Sequence, residues 1–210
     1  MKLHVLAVVV ALGSAARLAR ADRYEASIHV QPTGGLAWVG DRGASEPVAV
    51  PSAGLSVRAT YGLRNWLAIE AELGGAALGT AEFTDVPVTI GGGQPAVVDI
   101  ERTTRTGHLT AAATLRLGVA WIPTVTVGLG GLARWQGDGT VVGGGIQVDG
   151  REAGLSADGI GFARVGLDHR INRRLVVGVG VGASRTLRSP AIASIEGTVG
   201  LAYYWYPGWW

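Results

Sequence analysis

The feature of this 210-residue chain that most restricts its fold is a period of two in its apolar residues. In residues 109–117, leucine and alanine at the odd positions alternate with threonine, alanine and arginine at the even positions. Strict alternation over five or more residues predicts a β-strand with two different faces. The pattern recurs in eight segments, at residues 24–31, 55–61, 67–74, 109–118, 125–130, 163–168, 175–182 and 194–203. The sequence therefore predicts an all-β chain with an even number of strands.

The connections between these segments come in two lengths. The tight ones are residues 62–65, 121–123 and 169–173. The long ones cover about 31–53, 76–107 and 136–158, with a shorter one at 186–192. This alternation predicts an antiparallel up-and-down arrangement with the tight turns and both chain ends at one rim. Residues 86–90 and 96–100 also have strand character, so we expect the second long connection to continue as a hairpin beyond the barrel.

The charged residues of the predicted strands avoid the apolar faces. About 28 positions make up those faces, and at 16% charge roughly four or five charges would fall there by chance, but none does. The strand charges lie on the opposite faces: Glu25, Arg58, Glu70, Glu72, Arg116, Arg164, Asp168 and Glu196, with Arg134 nearer a rim. A soluble barrel would be apolar inside and polar outside. The opposite arrangement predicts a closed transmembrane barrel, since only a closed barrel pairs every backbone group of its strands in lipid.

These nine charged residues are predicted to form an ion-pair network in the lumen. Four are positive and five negative, and the interior of an eight-stranded barrel is just wide enough for side chains to fill. We therefore expect a plugged lumen, with Arg58 close to Glu70 and Glu72 across one hairpin. The alternative is a narrow pore, because glycines on the sixth and seventh strands leave open space inside.

The aromatic residues cluster near the rim of tight turns and chain ends. Aromatic side chains concentrate at lipid–water interfaces because their rings are apolar and their N–H and O–H groups bind water. The predicted interface aromatics are Tyr24, Tyr61, Trp66, Trp121, Tyr203, Trp205, Trp209 and Trp210. Trp135 and Phe162 are predicted near the other rim, and Trp38 and Phe83 in long loops.

The N-terminal residues have the layout of a secretory signal peptide. A short basic start precedes an apolar run from Val5 to Leu12, and small residues flank Arg20 before Asp22. We expect residues 1–21 to be the signal peptide and residues 22–210 the barrel domain. Cleavage would remove three of the 18 basic residues and leave 15 against 16 acidic ones, so no basic footprint for nucleic acid remains. The chain has no Cys, which excludes disulfides and thiolate zinc sites.

Candidate catalytic and metal-binding residues are sparse. Glu25, Ser27 and His29 share one strand face, but positions i and i+2 lie about 6.6 Å apart along a strand, which we expect to prevent a direct hydrogen bond. We therefore predict no enzymatic activity. Carboxylates of one loop (Asp138, Asp149, Glu152 and Asp158) lack the spacing of a calcium loop, and we expect no metal or cofactor.

Ile160 and Phe162 break the pattern of the sixth strand, because they share the parity of Arg164. Either both face the lumen, or a bulge near Gly161 switches the faces. Leu132 and Val176 also depart from the alternation.

Two segments resemble the small eight-stranded outer-membrane barrels of the OmpA/OmpX type. Residues 61–70 are similar to their recurrent strand–turn–strand element. The last strand resembles their insertion signal, Gly-x-x-aromatic-x-aromatic, with Gly200, Tyr203 and Trp205 in place and Trp210 as a second candidate for its final aromatic. The resemblance covers about residues 23–206. It implies a monomeric protein of the bacterial outer membrane that the barrel-insertion machinery recognises. Lipopolysaccharide, other envelope proteins and external ligands stay open as partners of three long exterior hairpin loops.

Overall fold

The computed structural model describes residues 24–206 except 45, 91–93, 119, 144, 145, 147, 149–151 and 189. The predicted signal peptide, Trp209 and Trp210 lie outside the described residues. Within the described part of the chain, no helix is long and apolar enough to cross a membrane.

The described residues form nine strands, eight of which close into an antiparallel ring. The strands are β1 (Ala26–Val39), β2 (Val48–Arg64), β3 (Leu67–Ile90), β4 (Gln94–Arg116), β5 (Trp121–Gln136), β6 (Thr140–Val141), β7 (Gly154–Arg170), β8 (Leu175–Thr186) and β9 (Ile192–Trp205). Each ring strand pairs with its neighbours in sequence, and β9 pairs with β1 from Ala26↔Trp205 to Val39↔Ile192. The prediction of a closed, up-and-down, eight-stranded barrel is confirmed. The two-residue β6 pairs with β4 outside the ring.

Side-chain exposure follows the predicted alternation around the ring. Leu129 of β5 is 71% exposed on the outer surface, whereas Thr126 of the same strand is 1% exposed and faces the lumen. The outer surface of the ring strands is almost entirely aliphatic and aromatic. The wall has two rims: the turn rim carries the tight turns and the ends at Ala26 and Trp205, and the loop rim carries the longer connections.

Along the sixth ring strand, β7, the even-numbered residues face the lumen and the odd-numbered residues face outward throughout. Its pairing with β5 runs without a shift through Gly128↔Phe162 and Gly130↔Ile160, so no bulge is present at Gly161. Ile160 and Phe162 therefore face the lumen. Leu132 and Val176 do the same and are buried. The lumen thus contains a few apolar side chains among the polar ones.

The first long connection is much shorter than predicted. The expectation of a loop over about residues 31–53 is wrong, because β1 and β2 stay paired up to Val39↔Val48 and only residues 40–47 connect them. Trp38 consequently lies in β1 and not in a loop. The apolar alternation is interrupted here by Gly34, Gly35 and Pro51. The sequence pattern therefore does not predict the outer parts of β1 and β2. The exterior therefore has two extended connections and not three.

The second connection continues as a hairpin beyond the loop rim, as expected. Pairing of β3 with β4 extends to Ile90↔Gln94, with register shifts between Leu78 and Ala81 and between Phe83 and Val86. Asp85 has φ 54° at the second shift, and its backbone N–H donates to Asp99 Oδ1 at 3.0 Å. Bulges of this kind bend a hairpin, and this one brings Phe83 toward the barrel mouth.

Candidate functional site in the barrel lumen

The most buried carboxylate among the ion pairs of the lumen is that of Glu25, just before β1. Its side chain is fully buried, and Arg170 Nη2 donates to its two oxygens at 3.0 and 3.1 Å. Arg116 Nη2 approaches Oε2 at 3.5 Å. Two guanidiniums thus converge on one buried carboxylate near the turn rim.

Tyr204 of β9, the strand that pairs with β1, joins this group. Arg116 Nη2 donates to its hydroxyl at 3.3 Å, and the guanidinium carbons of Arg116 and Arg170 lie 5.3 and 5.4 Å from its ring centre. Such cation–π contacts are stronger when desolvated, and Tyr204 is 2% exposed. Together with Glu25, these side chains fill the lumen at the turn rim.

A second group of polar contacts lies one layer further in. Arg58 Nη1 pairs with Glu70 Oε2 at 3.3 Å, and Arg58 Nη2 donates to His29 Nδ1 at 3.1 Å. His29 Nε2 lies 2.9 Å from Ser27 Oγ, which also contacts Thr60 Oγ1. The expectation that Ser27 and His29 cannot hydrogen-bond is wrong, because side chains of one face lean along the strand and shorten the separation of their tips.

The hydrogen bond between Ser27 and His29 runs in the direction opposite to that between a catalytic nucleophile and its general base. Arginine can only donate, so His29 Nδ1 accepts from Arg58 and the ring proton lies on Nε2. His29 therefore donates to Ser27 and does not withdraw its proton. In a catalytic triad, a carboxylate accepts a hydrogen bond from the histidine ring and orients it. Here the Arg58 cation donates to the His29 ring instead.

A third group is centred on Glu72 of β3. Arg164 Nη2 donates to Glu72 Oε2 at 2.6 Å, and His108 Nε2 lies 3.3 Å from Oε1. Arg164 Nη1 also donates to Gln31 Oε1 at 3.3 Å, and its guanidinium lies 5.5 Å from the Phe162 ring. Charge-assisted bonds across β1, β3, β4 and β7 thus tie the wall together from inside.

The nine charged residues predicted for the lumen divide into two sets. Six form ion pairs in the groups above: Glu25, Arg58, Glu70, Glu72, Arg116 and Arg164. Within the part of the chain that the structure describes, Arg134, Asp168 and Glu196 make no ion pair. Arg134 donates to the Pro190 carbonyl at 2.8 Å at the loop rim, and Glu196 accepts from Ser52 at 3.1 Å. Asp168 packs against Gly178, whose missing Cβ leaves room for its carboxylate.

Sequence reasoning missed several partners of these ion pairs. Arg170 falls in the predicted tight turn at residues 169–173, and Tyr204 follows the last alternating segment, which ends at residue 203. Both continue the inward parity of their strands, Arg170 two residues after Asp168 and Tyr204 two residues after Ala202. Extending the alternation to the end of each strand would have found them. His29 and His108 form hydrogen bonds with residues on other strands, and the alternation within a single strand does not predict such contacts.

A small cavity lies between the charged groups and the loop rim. It has a volume of about 90 Å³, and polar side chains of Glu72, His108, Arg164 and Glu196 line it together with Phe162. At roughly 15 Å³ per water, it has room for several solvent molecules. Among the described residues, no three His, Asp or Glu side chains come together as they would at a metal site.

An apolar layer covers this cavity at the barrel mouth. We call it the mouth cluster; its buried members are Ala37, Val39, Val50, Leu78, Ala81, Phe83, Val86, Ile100, Val148 and Ile192. Val39, Val50, Leu78 and Ile192 point inward from the ring strands, whereas Phe83 comes from the bent hairpin. The lumen is thus closed by apolar packing at one end and ion pairs at the other.

The predicted interface aromatics in the described part of the chain lie at the turn rim. Tyr24 and Tyr61 have ring centres 6.4 Å apart, and Tyr203 and Trp205 have ring centres 6.3 Å apart. Trp121 is 59% exposed, and Trp66 is also exposed, in the β2–β3 turn. In the proposed insertion signal, Tyr203 and Trp205 are exposed on the outer surface and Gly200 faces the lumen.

Comparison with known proteins supports the fold. No protein-family model matches the sequence, and no curated protein matches it significantly. Among solved structures, Neisserial surface protein A has a TM-score of 0.54 at 11% identity, covering 84% of this chain and 96% of its own. Ail, the attachment invasion locus protein of Yersinia pestis, solved with a heparin analogue, has a TM-score of 0.50 at 10% identity, covering 88% and 100%. The chain therefore has the fold of the small eight-stranded outer-membrane barrels.

Proposed function

We propose that this chain is an integral protein of a bacterial outer membrane with a structural and surface-interaction role. The observation that carries the proposal is the distribution of polarity: six ion-paired charges lie inside the ring and exposed aliphatic side chains cover its outside. Such a surface is stable against hydrocarbon and unstable in water. Residues 1–21 are proposed to direct export, and the last strand to be recognised by the insertion machinery.

The dimensions of the apolar surface fit a bilayer. Trp121 and Trp135, both exposed, lie at opposite ends of β5 and are 14 residues apart. At about 3.3 Å per residue and a tilt of about 40°, this distance corresponds to roughly 35 Å along the barrel axis. The span accommodates an apolar band of about 25 Å with an aromatic girdle at each interface.

The lumen is proposed to be a plug and not a channel. Ion pairs of Arg116 and Arg164 cross the interior, that of Arg58 joins the neighbouring strands β2 and β3, and the mouth cluster excludes water above the cavity. Removing one partner of such a buried pair costs about 3–5 kcal/mol, because the other charge is left without a counter-charge.

Planar-bilayer recording of the purified protein tests the plug. We expect insertion without a reproducible open level, and a porin added afterwards to the same membrane verifies that channels are detectable. A reproducible conductance that scales with the amount of protein would support the second candidate, a narrow pore for small solutes. The cavity, which Gly182 of β8 helps to line, favours that candidate.

The extended β3–β4 hairpin and the β5–β7 connection are proposed to be the interaction surface outside the cell. Lipopolysaccharide, other envelope proteins and external ligands are the partner classes. Pull-down with the reconstituted barrel, compared with a variant lacking residues 82–99, identifies partners that depend on the hairpin. No enzymatic activity is proposed, and unchanged lipid A after expression would agree with that.

A further inference from the structure

A second cavity at the loop rim is lined by an excess of arginine. It has a volume of about 310 Å³, and its lining contains Arg42, Arg102, Arg134 and Arg188 against two carboxylates, Asp41 and Asp158. The lining therefore carries two more positive than negative charges. None of the ion pairs in the lumen groups involves these residues, so the proposed plug does not account for them.

The buried part of this cavity is rigidly built. Arg102 is 7% exposed; its Nε donates to the Gly137 carbonyl at 2.8 Å, Nη2 donates to the Glu152 carbonyl at 2.9 Å, and Nη1 lies 3.4 Å from Asp41 Oδ1. Arg134 is 5% exposed and is anchored through Nη2 on the Pro190 carbonyl at 2.8 Å. Two guanidiniums are thus fixed in place before any ligand arrives, which lowers the cost of ordering them on binding.

Several donors that line the cavity have no protein acceptor. Among the described residues, Gln136 Nε2 is buried without a hydrogen-bond partner. The exposed Arg188 guanidinium also has no partner within the described part of the chain, although its backbone N–H donates to Asp158 Oδ2 at 3.1 Å. Unsatisfied donors beside a net positive charge match a ligand that offers only acceptor oxygens and negative charge.

We propose that this cavity binds a phosphate group of a small soluble anion. A phosphate dianion matches the excess of two positive charges, and its tetrahedral oxygens can accept from guanidiniums and an amide together. Access is from the external solvent: Arg134 and Gln136 are inward-facing residues of β5, and Arg42 and Arg188 lie on connections above the rim. A lipid phosphate in the outer leaflet would approach the outer surface of the wall, on the other side of β5.

Isothermal titration of the refolded barrel with inorganic pyrophosphate in an uncharged detergent tests the proposal. We expect saturable binding with one site per chain. The double variant Arg42→Gln/Arg188→Gln should raise Kd about tenfold or more, because two charge-assisted contacts are lost. Both side chains are exposed, so folding should persist, and the heat-dependent shift in gel mobility verifies it. Arg185→Gln is the matched control, since Arg185 points outward from β8, and it should keep the wild-type Kd.

Three outcomes would overturn the proposal. They are the absence of saturable binding by the wild-type protein, an unchanged Kd in the folded double variant, and an equal loss in Arg185→Gln, which would indicate non-specific attraction. A parallel titration with lipopolysaccharide distinguishes the source of the phosphate: a loss confined to lipopolysaccharide in the double variant would assign the arginines to a lipid and contradict a soluble ligand.

Discussion

Glu25 shows how much of the interior depends on a single carboxylate. Its buried oxygens are shared by Arg170 and Arg116, and Tyr204 packs on the same two guanidiniums. A buried ion pair contributes little net stability compared with well-packed apolar residues, but removing one partner leaves uncompensated charge. The Glu25 group therefore fixes the geometry of the turn rim and makes it intolerant of substitution.

We predict that Glu25→Ala destabilises the barrel by about 3–5 kcal/mol, because the buried Arg116 and the partly buried Arg170 lose their shared counter-charge. The measurement is the free energy of unfolding in urea, followed by tryptophan fluorescence in lipid vesicles. The control is Glu46→Ala in the exposed β1–β2 connection, for which a change within about 0.5 kcal/mol is expected. Equal effects of the two substitutions would show that Glu25 does not carry this role.

Gly130 and Gly131 of β5 offer a matched pair at adjacent positions. A Cβ on Gly130 would lie 2.1 Å from the Leu109 carbonyl oxygen and 2.6 Å from Thr110 Cα, whereas a Cβ on Gly131 would meet no atom within 4 Å. Because backbone atoms cannot move aside cheaply, Gly130→Ala is expected to destabilise by about 1–3 kcal/mol. Gly131→Ala should be neutral in the same urea titration. Tolerance of both alanines would contradict the close approach of β4 and β5.

At the scale of the elements, the bent β3–β4 hairpin is held by one aromatic anchor. Phe83 is 1% exposed within the mouth cluster, while Val97 of the same hairpin is 64% exposed. Phe83→Ala should release the hairpin, because a buried Phe→Ala change costs about 3–5 kcal/mol. Limited trypsin digestion should then cut faster at Arg102 and Arg105, with Val97→Ala as the control. Unchanged cleavage in Phe83→Ala would indicate that the mouth cluster does not hold the hairpin.

The sequence predicted the ring strands well where one face is the apolar outer surface. There every second residue is apolar, and the alternation marks each strand and its faces. Beyond the loop rim water contacts both faces, so the sequence has no alternation there. It therefore does not predict that Phe83 and Ile100 pack on the barrel mouth. In β1 the glycines at 34 and 35 removed the pattern although backbone pairing continued, since hydrogen bonds across the ring do not need side chains.

The candidate site could be predicted only in part for a related reason. Parity assigns Arg58, Glu70 and Glu72 to the lumen, but it does not give the partner of each. Arg58 lies across from Glu72 in the β2–β3 register and nevertheless pairs with Glu70, because Arg164 reaches Glu72 from the far wall. Contacts through the interior depend on the curvature of the closed barrel, which a single strand's sequence does not encode.

At the scale of the whole molecule, the outer surface should reject charge wherever it meets lipid. Leu129 is 71% exposed in the middle of the wall, and Leu187 is 76% exposed in the β8–β9 connection. Leu129→Arg is expected to cost about 2–4 kcal/mol in a bilayer, as arginine does near the midplane of such barrels. Leu187→Arg should cost little, because water reaches that position. The unfolding free energies of the two variants in vesicles provide the comparison.

The proposed function requires that lipid contacts the outer face of the ring and that the inner face encloses a polar interior. Because the chain contains no Cys, single cysteines carrying a nitroxide can be placed without altering any other residue. The decisive measurement is electron paramagnetic resonance accessibility in lipid vesicles at Val199 and Leu201, which face outward on β9, and at Thr198, which faces inward. We expect high accessibility to oxygen and low accessibility to a water-soluble nickel complex at Val199 and Leu201, with Thr198 protected from both. High accessibility of Val199 and Leu201 to the nickel complex would contradict it, because water and not lipid would then cover the outside of the barrel.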